Sequence, residues 1–236
     1  MTTVLLTRHG RSSANASGVL AGWTPGVCLD ERGREQANGL AARLSPLPLA
    51  AVVSSPLERC LETAAAVVAT RDGMGVQTDE RFGECRYGDW TGRELKALAR
   101  DPLWKVVQAH PSAARFPGEE GESLRDVQAR AVSAVRDWNA RVAAEHGPDA
   151  IYAVCSHGDV IKAIVADALG LHLDLFQRIT VDPCSLSAIR YTDLRPFLVR
   201  LNDVGGGVAD LRPAKRRARR RRRSSDAVVG GGAGGP

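Results

Sequence analysis

Val4-Leu5-Leu6-Thr7-Arg8-His9-Gly10-Arg11-Ser12-Ser13-Ala14-Asn15 is the stretch from which the rest of the chain can be read. Its apolar opening reads as a buried strand, and a cation, an imidazole and a glycine follow directly. Such a triplet makes poor core. In α/β proteins, however, buried strands present functional groups at their C-terminal ends, where loops converge on a ligand. Arg8 offers a permanent cationic fork for phosphate or carboxylate. His9 can serve as nucleophile, base or metal ligand. Gly10 allows close backbone approach or a positive φ. Alone the triplet says little, so its meaning depends on what the other strands bring to meet it.

Outward from that strand, apolar runs alternate with helical patterns. Residues 16–29, with Gly18, Gly22, Pro25 and Gly26, read as a loop carrying Trp23. Asp30 is placed to cap a helix reaching about Leu44, with Ala37, Leu40, Ala41 and Leu44 at helical spacing. Ala50 to Ser54 is a second strand. Ser55-Pro56-Leu57-Glu58-Arg59 then reads as a helix start, with Ser55 as N-cap, Pro56 at the first position and Glu58 closing a capping box. A weaker strand is expected at 76–78, short helices over 92–100 and 102–109, and a long helix from the Ser123/Asp126 box to about Glu145. Ala150 to Cys155 is a third apolar strand, followed by Ser156-His157-Gly158 and a helix over 159–169. Two closing strands are expected near 185–191 and 197–201. Apolar strands alternating with helices predict an α/β protein, a three-layer α/β/α sandwich around a mostly parallel sheet.

Composition bounds the answer from another side. The net charge of +5 is uneven. Residues 205–236 hold nine of the 32 Lys and Arg but two of the 27 Asp and Glu, so this tail carries +7 and the body −2. The body is therefore not a basic, nucleic-acid-binding surface by charge. The Gly- and Arg-rich tail cannot bury enough apolar surface to offset its ordering entropy, and disorder is expected there. Its cluster at 215–223 could bind polyanions weakly and in a salt-dependent way. Five cysteines without a C-x-x-C pair argue against a disulfide framework or a zinc site. No basic-apolar-small leader opens the chain, and no apolar run reaches the ~20 residues of a spanning helix. A soluble cytoplasmic protein is expected.

Three strand ends now carry matching chemistry: Arg8-His9-Gly10, Arg59 in the turn after the second strand, and His157-Gly158 after the third. Two arginines, two histidines and helix N-termini gathered along one sheet edge suit a phosphoryl group. The motifs resemble those of the histidine phosphatase superfamily, the phosphoglycerate mutase-like group named for R-H-G, over roughly residues 3–200. They are R-H-G with Ser12 or Ser13 and Asn15, S-S-P-L-x-R around Arg59, E-x-x-Y-G-x-W-x-G from Glu84 to Gly92, F-P-G-x-x-G-E-S-L at 116–124, and the late S-H-G.

The resemblance implies a phosphoglycerate mutase-like fold over 1–204, with 205–236 as a tail. It implies that His9 takes up phosphorus as phosphohistidine, that Arg8, Arg59 and His157 hold the phosphoryl oxygens, and that Glu84 is the proton donor. Glu80, Asp89 and Glu94 are the rival acids nearby. Asn15, Gly22 and Gly158 complete the expected substrate-binding set. No cofactor and no metal is called for, and the expected partner is a small phosphorylated substrate.

Within the superfamily, a phosphomonoester hydrolase is the first reading. The mutase branch has an arginine after the acidic glutamate where this chain has Cys85, and the insert carries Glu119, Glu120 and Glu122 instead of paired arginines. A phosphomutase is the enzyme alternative, with Arg86 and Arg115 as cations that could restore the missing charge. A catalytically silent phospho-ligand or polyanion-binding module is the alternative of another class. On the hydrolase reading, deleting 205–236 leaves activity on small substrates unchanged.

Overall fold

The computed structural model describes residues 1–206, 229, 230 and 232. Six strands form one sheet: β1 (Thr2–Arg8), β2 (Leu49–Ser54), β3 (Val76–Thr78), β4 (Ile151–Ser156), β5 (Leu186–Tyr191) and β6 (Pro196–Asp203), in the spatial order β3-β2-β4-β1-β5-β6. Strands β1 to β4 pair in parallel, whereas β5 runs antiparallel to both β1 and β6. The helices are α1 (Ser13–Ser17), α2 (Glu31–Leu44), α3 (Glu58–Val68), α4 (Leu95–Leu98), α5 (Pro102–Ala109), α6 (Leu124–His146) and α7 (Gly158–Ala168).

Alternation along the strands builds the layers. Leu5 of β1, Val52 of β2 and Ala153 of β4 face Leu40 and Leu44 of α2 and Ala64 and Val67 of α3. Val4, Leu6, Val53 and Val154 face Val127 and Val135 of α6 and Val160 and Ile164 of α7. Burying each of these valines, leucines and isoleucines contributes about 1.5–3 kcal/mol, which makes the strand registers hard to slip. The three-layer α/β/α expectation holds.

Register places the site. Arg8 lies opposite Ser156, and both Thr7 and Ser54 lie opposite Cys155, so the central strands β2, β4 and β1 end together. Their next residues, Ser55, His157 and His9, leave the sheet side by side. Because β4 is inserted between β1 and β2, the chain reverses its direction of travel across the sheet at this point, where open α/β sheets bind ligands.

Two local expectations are corrected. Helix α3 starts at Glu58 with Leu57 in the cap position and no side-chain cap, not at Ser55. Ser55 and Glu58 are spent elsewhere: Ser55 Oγ lies 2.8 Å from His157 Nε2, and Glu58 accepts the Gly26 N–H at 2.9 Å. Within the first motif, Ser12 and Asn15 form a capping box that starts α1, a helix not read from the sequence. Asp30 and Ser123 cap α2 and α6 as expected.

Of the tail, only Gly205, Gly206, Val229, Gly230 and Gly232 are described, so its expected disorder and the basic cluster at 215–223 lie outside the described residues. Val229 and Gly230 lie against the site described next. No helix among the described residues is long and apolar enough to cross a membrane.

Candidate active site

His9 is 2% exposed, and its Nδ1 lies 2.7 Å from the carbonyl of Gly10. A carbonyl only accepts, so Nδ1 carries the hydrogen and Nε2 keeps its lone pair. Burial first, then the charges of Arg59 and Arg8, hold the imidazole well below its usual pKa. His9 is thus a neutral imidazole with its tautomer fixed and its Nε2 lone pair available. The backbone carrying it is pinned where the Gly10 N–H donates to Thr63 Oγ1 at 3.0 Å. Gly10 is a glycine for closeness: a Cβ there would sit 2.5 Å from the Gly33 carbonyl oxygen of α2.

Around it stand the cations. Arg8 is fully buried, and one of its terminal nitrogens donates to the Val181 carbonyl at 2.9 Å. Arg59, in the first turn of α3, donates to the Gly22 carbonyl at 2.9 Å and lies 3.2 Å from His157 Nδ1. Arg8 Nε and Nη2 and Arg59 Nη1 have no hydrogen-bond partner among the described residues. Leaving a buried donor unpaired costs about 1–3 kcal/mol, more when it is charged. Three such nitrogens near one buried imidazole suit an anion.

His157, with no exposed surface, has its ring 5.2 Å from that of His9. Burial and then Arg59 keep it neutral, and its Nε2 meets Ser55 Oγ. Glu84 is 4% exposed, with Oε2 3.7 Å from His157 Nδ1 and Oε1 accepting the Cys85 N–H at 3.0 Å. Burial, then the negative charge of Asp159, push its carboxyl up to about 7 against the opposing pull of Arg59. At neutral pH it is therefore shared between acid and carboxylate, as proton transfer in both directions requires. The rivals Glu80, Asp89 and Glu94 are exposed.

Glu84 is also held from behind. Its carbonyl accepts from Trp23 Nε1 at 2.6 Å and from Arg130 at 3.1 Å, and Arg130 is clamped by Glu122 at 2.6 Å. Glu122 of the acidic insert thus braces the backbone of Glu84 through Arg130. Replacing Asp159 with Asn is expected to lower the Glu84 pKa, moving the alkaline fall of kcat/KM to lower pH; an unmoved profile would show that Asp159 does not tune the acid.

A narrow cavity of ≈ 40 Å³ opens among them, with walls that include His9, Ser12, Asn15, Leu20, Arg59 and Glu84, while Arg8 and His157 are buried and are not among its lining residues. Asn15 lines it while its Oδ1 accepts from Ser12 Oγ, so it serves both pocket and turn. Gly22 and Gly158 are not among the lining residues. Gly22 acts on the site through its carbonyl and Arg59, and Gly158 opens α7 behind His157. Arg86 stacks over the Trp23 ring at 4.1 Å, beside a separate cavity, and Arg115 pairs with Asp126 at 3.6 Å, so neither lines the site cavity. His110, His146 and His172 are exposed. Among the described residues, no three His, Cys, Asp or Glu side chains could together hold a metal ion.

Sequence reasoning missed Thr63, Ser55 as a histidine partner, Asp159 and the Val181 carbonyl. Thr63, one helical turn beyond Arg59, left a spacing signal. Asp159 followed S-H-G directly. The Val181 carbonyl left none.

A paired-histidine anion site with a raised carboxyl beside it defines an enzyme of phosphoryl transfer. The comparisons with known proteins agree: the profile of the histidine phosphatase superfamily (branch 1) matches residues 4–204, and the chain belongs to that superfamily. It is 34% identical to a glucosyl-3-phosphoglycerate phosphatase of Mycolicibacterium vanbaalenii over 72% of this chain and 76% of that one. It is 29% identical to a probable phosphoglycerate mutase, GpmB, of Yersinia pestis, over 82% of this chain and 86% of the relative. Among solved structures, Bacillus stearothermophilus YhfR superimposes with a TM-score of 0.77 at 29% identity, covering 87% of this chain and 98% of its own. The protein is thus an enzyme of the phosphatase and phosphoglycerate mutase-like line.

Proposed function

We propose that this enzyme hydrolyses a small phosphomonoester through a phosphohistidine on His9. Nε2 of His9 attacks phosphorus, and the P–O bond to the alcohol breaks as the Glu84 carboxyl gives its proton to the departing oxygen. Arg8, Arg59 and His157 take the charge gathering on the three remaining oxygens. Glu84, now a carboxylate, removes a proton from water, whose oxygen attacks phosphorus and breaks the P–N bond. Inorganic phosphate leaves, and both His9 and Glu84 return to their starting states.

The observation that carries hydrolysis over mutation is the charge of the cavity. Arg59 is the only cation lining it among the described residues, and Val19, Leu20, Ala21 and Leu95 make much of the remaining wall. A mutase must also hold its substrate's carboxylate and second phosphate, and Cys85 is a buried thiol whose pKa burial pushes well up, so it adds no positive charge. The names of the relatives point to small phosphorylated metabolites as the substrate class.

A phosphate-release screen over sugar phosphates, phosphoglycerates, phosphoamino acids and nucleotides tests this. Release of phosphate from at least one small monoester, without interconversion of phosphoglycerates, is expected. Rapid interconversion with no net release would replace the hydrolase with a mutase.

A further inference from the structure

The cavity has three walls that come from the far end of the chain: Val229, Gly230 and Gly232. Val229 is 1% exposed and belongs to the main apolar core with Leu20 and Tyr87. The Gly230 N–H donates to Asp159 Oδ2 at 2.8 Å, and the same oxygen accepts from Tyr87 at 3.2 Å. Asp159 has no exposed surface, so this backbone donor meets an acceptor that water does not reach. Gly230 is fitted to its place. Its φ is +74°, and an added Cβ would stand 3.0 Å from a Leu20 methyl and 3.2 Å from the Tyr87 hydroxyl. Only a glycine combines that backbone with that approach.

What the segment leaves behind is small. A cavity of ≈ 40 Å³ has room for about three water molecules or roughly one phosphoryl group, whereas pockets for whole small molecules run to about 300–1,000 Å³. Val229, Gly230 and Gly232 thus wall a space of about phosphoryl size beside His9, Arg59 and Glu84.

We propose that the Val229–Gly230 segment is a built-in occupant of the leaving-group side of the site, hooked on Asp159, which a phosphomonoester must displace in order to bind. It rests on the reading of the site as a monoester pocket, and it reverses the expectation that the tail is without effect. Substrates are selected by their power to displace the segment, and any partner that draws the basic tail away raises activity. Apparent affinity is reduced by the fraction of molecules with the segment docked: about 90% docking costs about tenfold.

The test uses two full-length variants, Val229→Asp, which puts a charge in the apolar seat, and Gly230→Pro, which removes the N–H and forbids φ +74°. Binding of phenylphosphonate, which cannot be hydrolysed, is measured by calorimetry with inorganic phosphate as the reference. Both variants are expected to bind phenylphosphonate about tenfold more tightly than the wild type, with phosphate affinity changed far less. Equal phenylphosphonate affinities, or weaker binding by the variants, would overturn the proposal. Because this readout needs no turnover, it is independent of the hydrolase reading, which fails instead if no monoester yields phosphate.

Discussion

Replacing His9 with Ala is expected to lower kcat/KM for every accepted monoester by about 10⁴-fold or more, the scale on which a covalent nucleophile is lost. His9 Nδ1 is committed to the Gly10 carbonyl, which leaves Nε2 as the nitrogen with a lone pair to attack phosphorus in the proposed reaction. His157 cannot replace it: its Nε2 meets Ser55 Oγ and its Nδ1 faces Arg59. Because burial and two arginines hold His9 well below its ordinary pKa, it stays neutral through the mildly acidic range. Wild-type kcat/KM should therefore show no acid limb from this group near 6.5. Steady-state kinetics on the best substrate from the release screen check both points. Retention of more than a few per cent of activity in His9→Ala would remove the nucleophile from the account.

Glu84→Gln is expected to cost about 10²–10⁴-fold with an alkyl phosphate, the usual worth of a positioned acid. With para-nitrophenyl phosphate, whose leaving group needs little help from a proton, the loss should be much smaller. The sign of the pH dependence follows from the raised pKa. The acid form transfers the proton, burial and Asp159 keep that form present up to about pH 7, and kcat/KM for alkyl esters then falls as pH rises further. In Glu84→Gln that limb should vanish, since the amide does not titrate. Equal losses for both leaving groups, or a surviving limb near pH 7, would assign the proton to another residue. The exposure of Glu80, Asp89 and Glu94 leaves no such rival lining the cavity among the described residues.

Most of the scaffold was legible because its causes are local. Apolar runs at Val4–Leu6, Ala51–Val53 and Tyr152–Cys155 could only be buried strands, and Asp30 and Ser123 announced their helices by capping. The start of α3 was misread because Ser55 satisfies its cap pattern locally but is claimed by His157, 102 positions away. Arg8, His9, Arg59 and His157 could be proposed from sequence because each sits at a strand end or helix start, and Glu84 because it opens a motif in the loop after Phe82. Asp159 could not be weighed from sequence, since its effect depends on Tyr87, 72 positions earlier, and Gly230, 71 positions later. The contact of Gly230 with Asp159 left no signal either, because a Gly- and Arg-rich composition does not say where one short segment lies.

The central claim is a covalent phosphoenzyme on one nitrogen. Rapid quenching of wild-type enzyme into alkali during turnover of its best substrate, followed by phosphorus NMR and peptide mapping, reads it directly. The account requires acid-labile, alkali-stable phosphate on Nε2 of His9, absent from His9→Ala. Turnover without such a species at any quench time, or phosphate on His157, would contradict it.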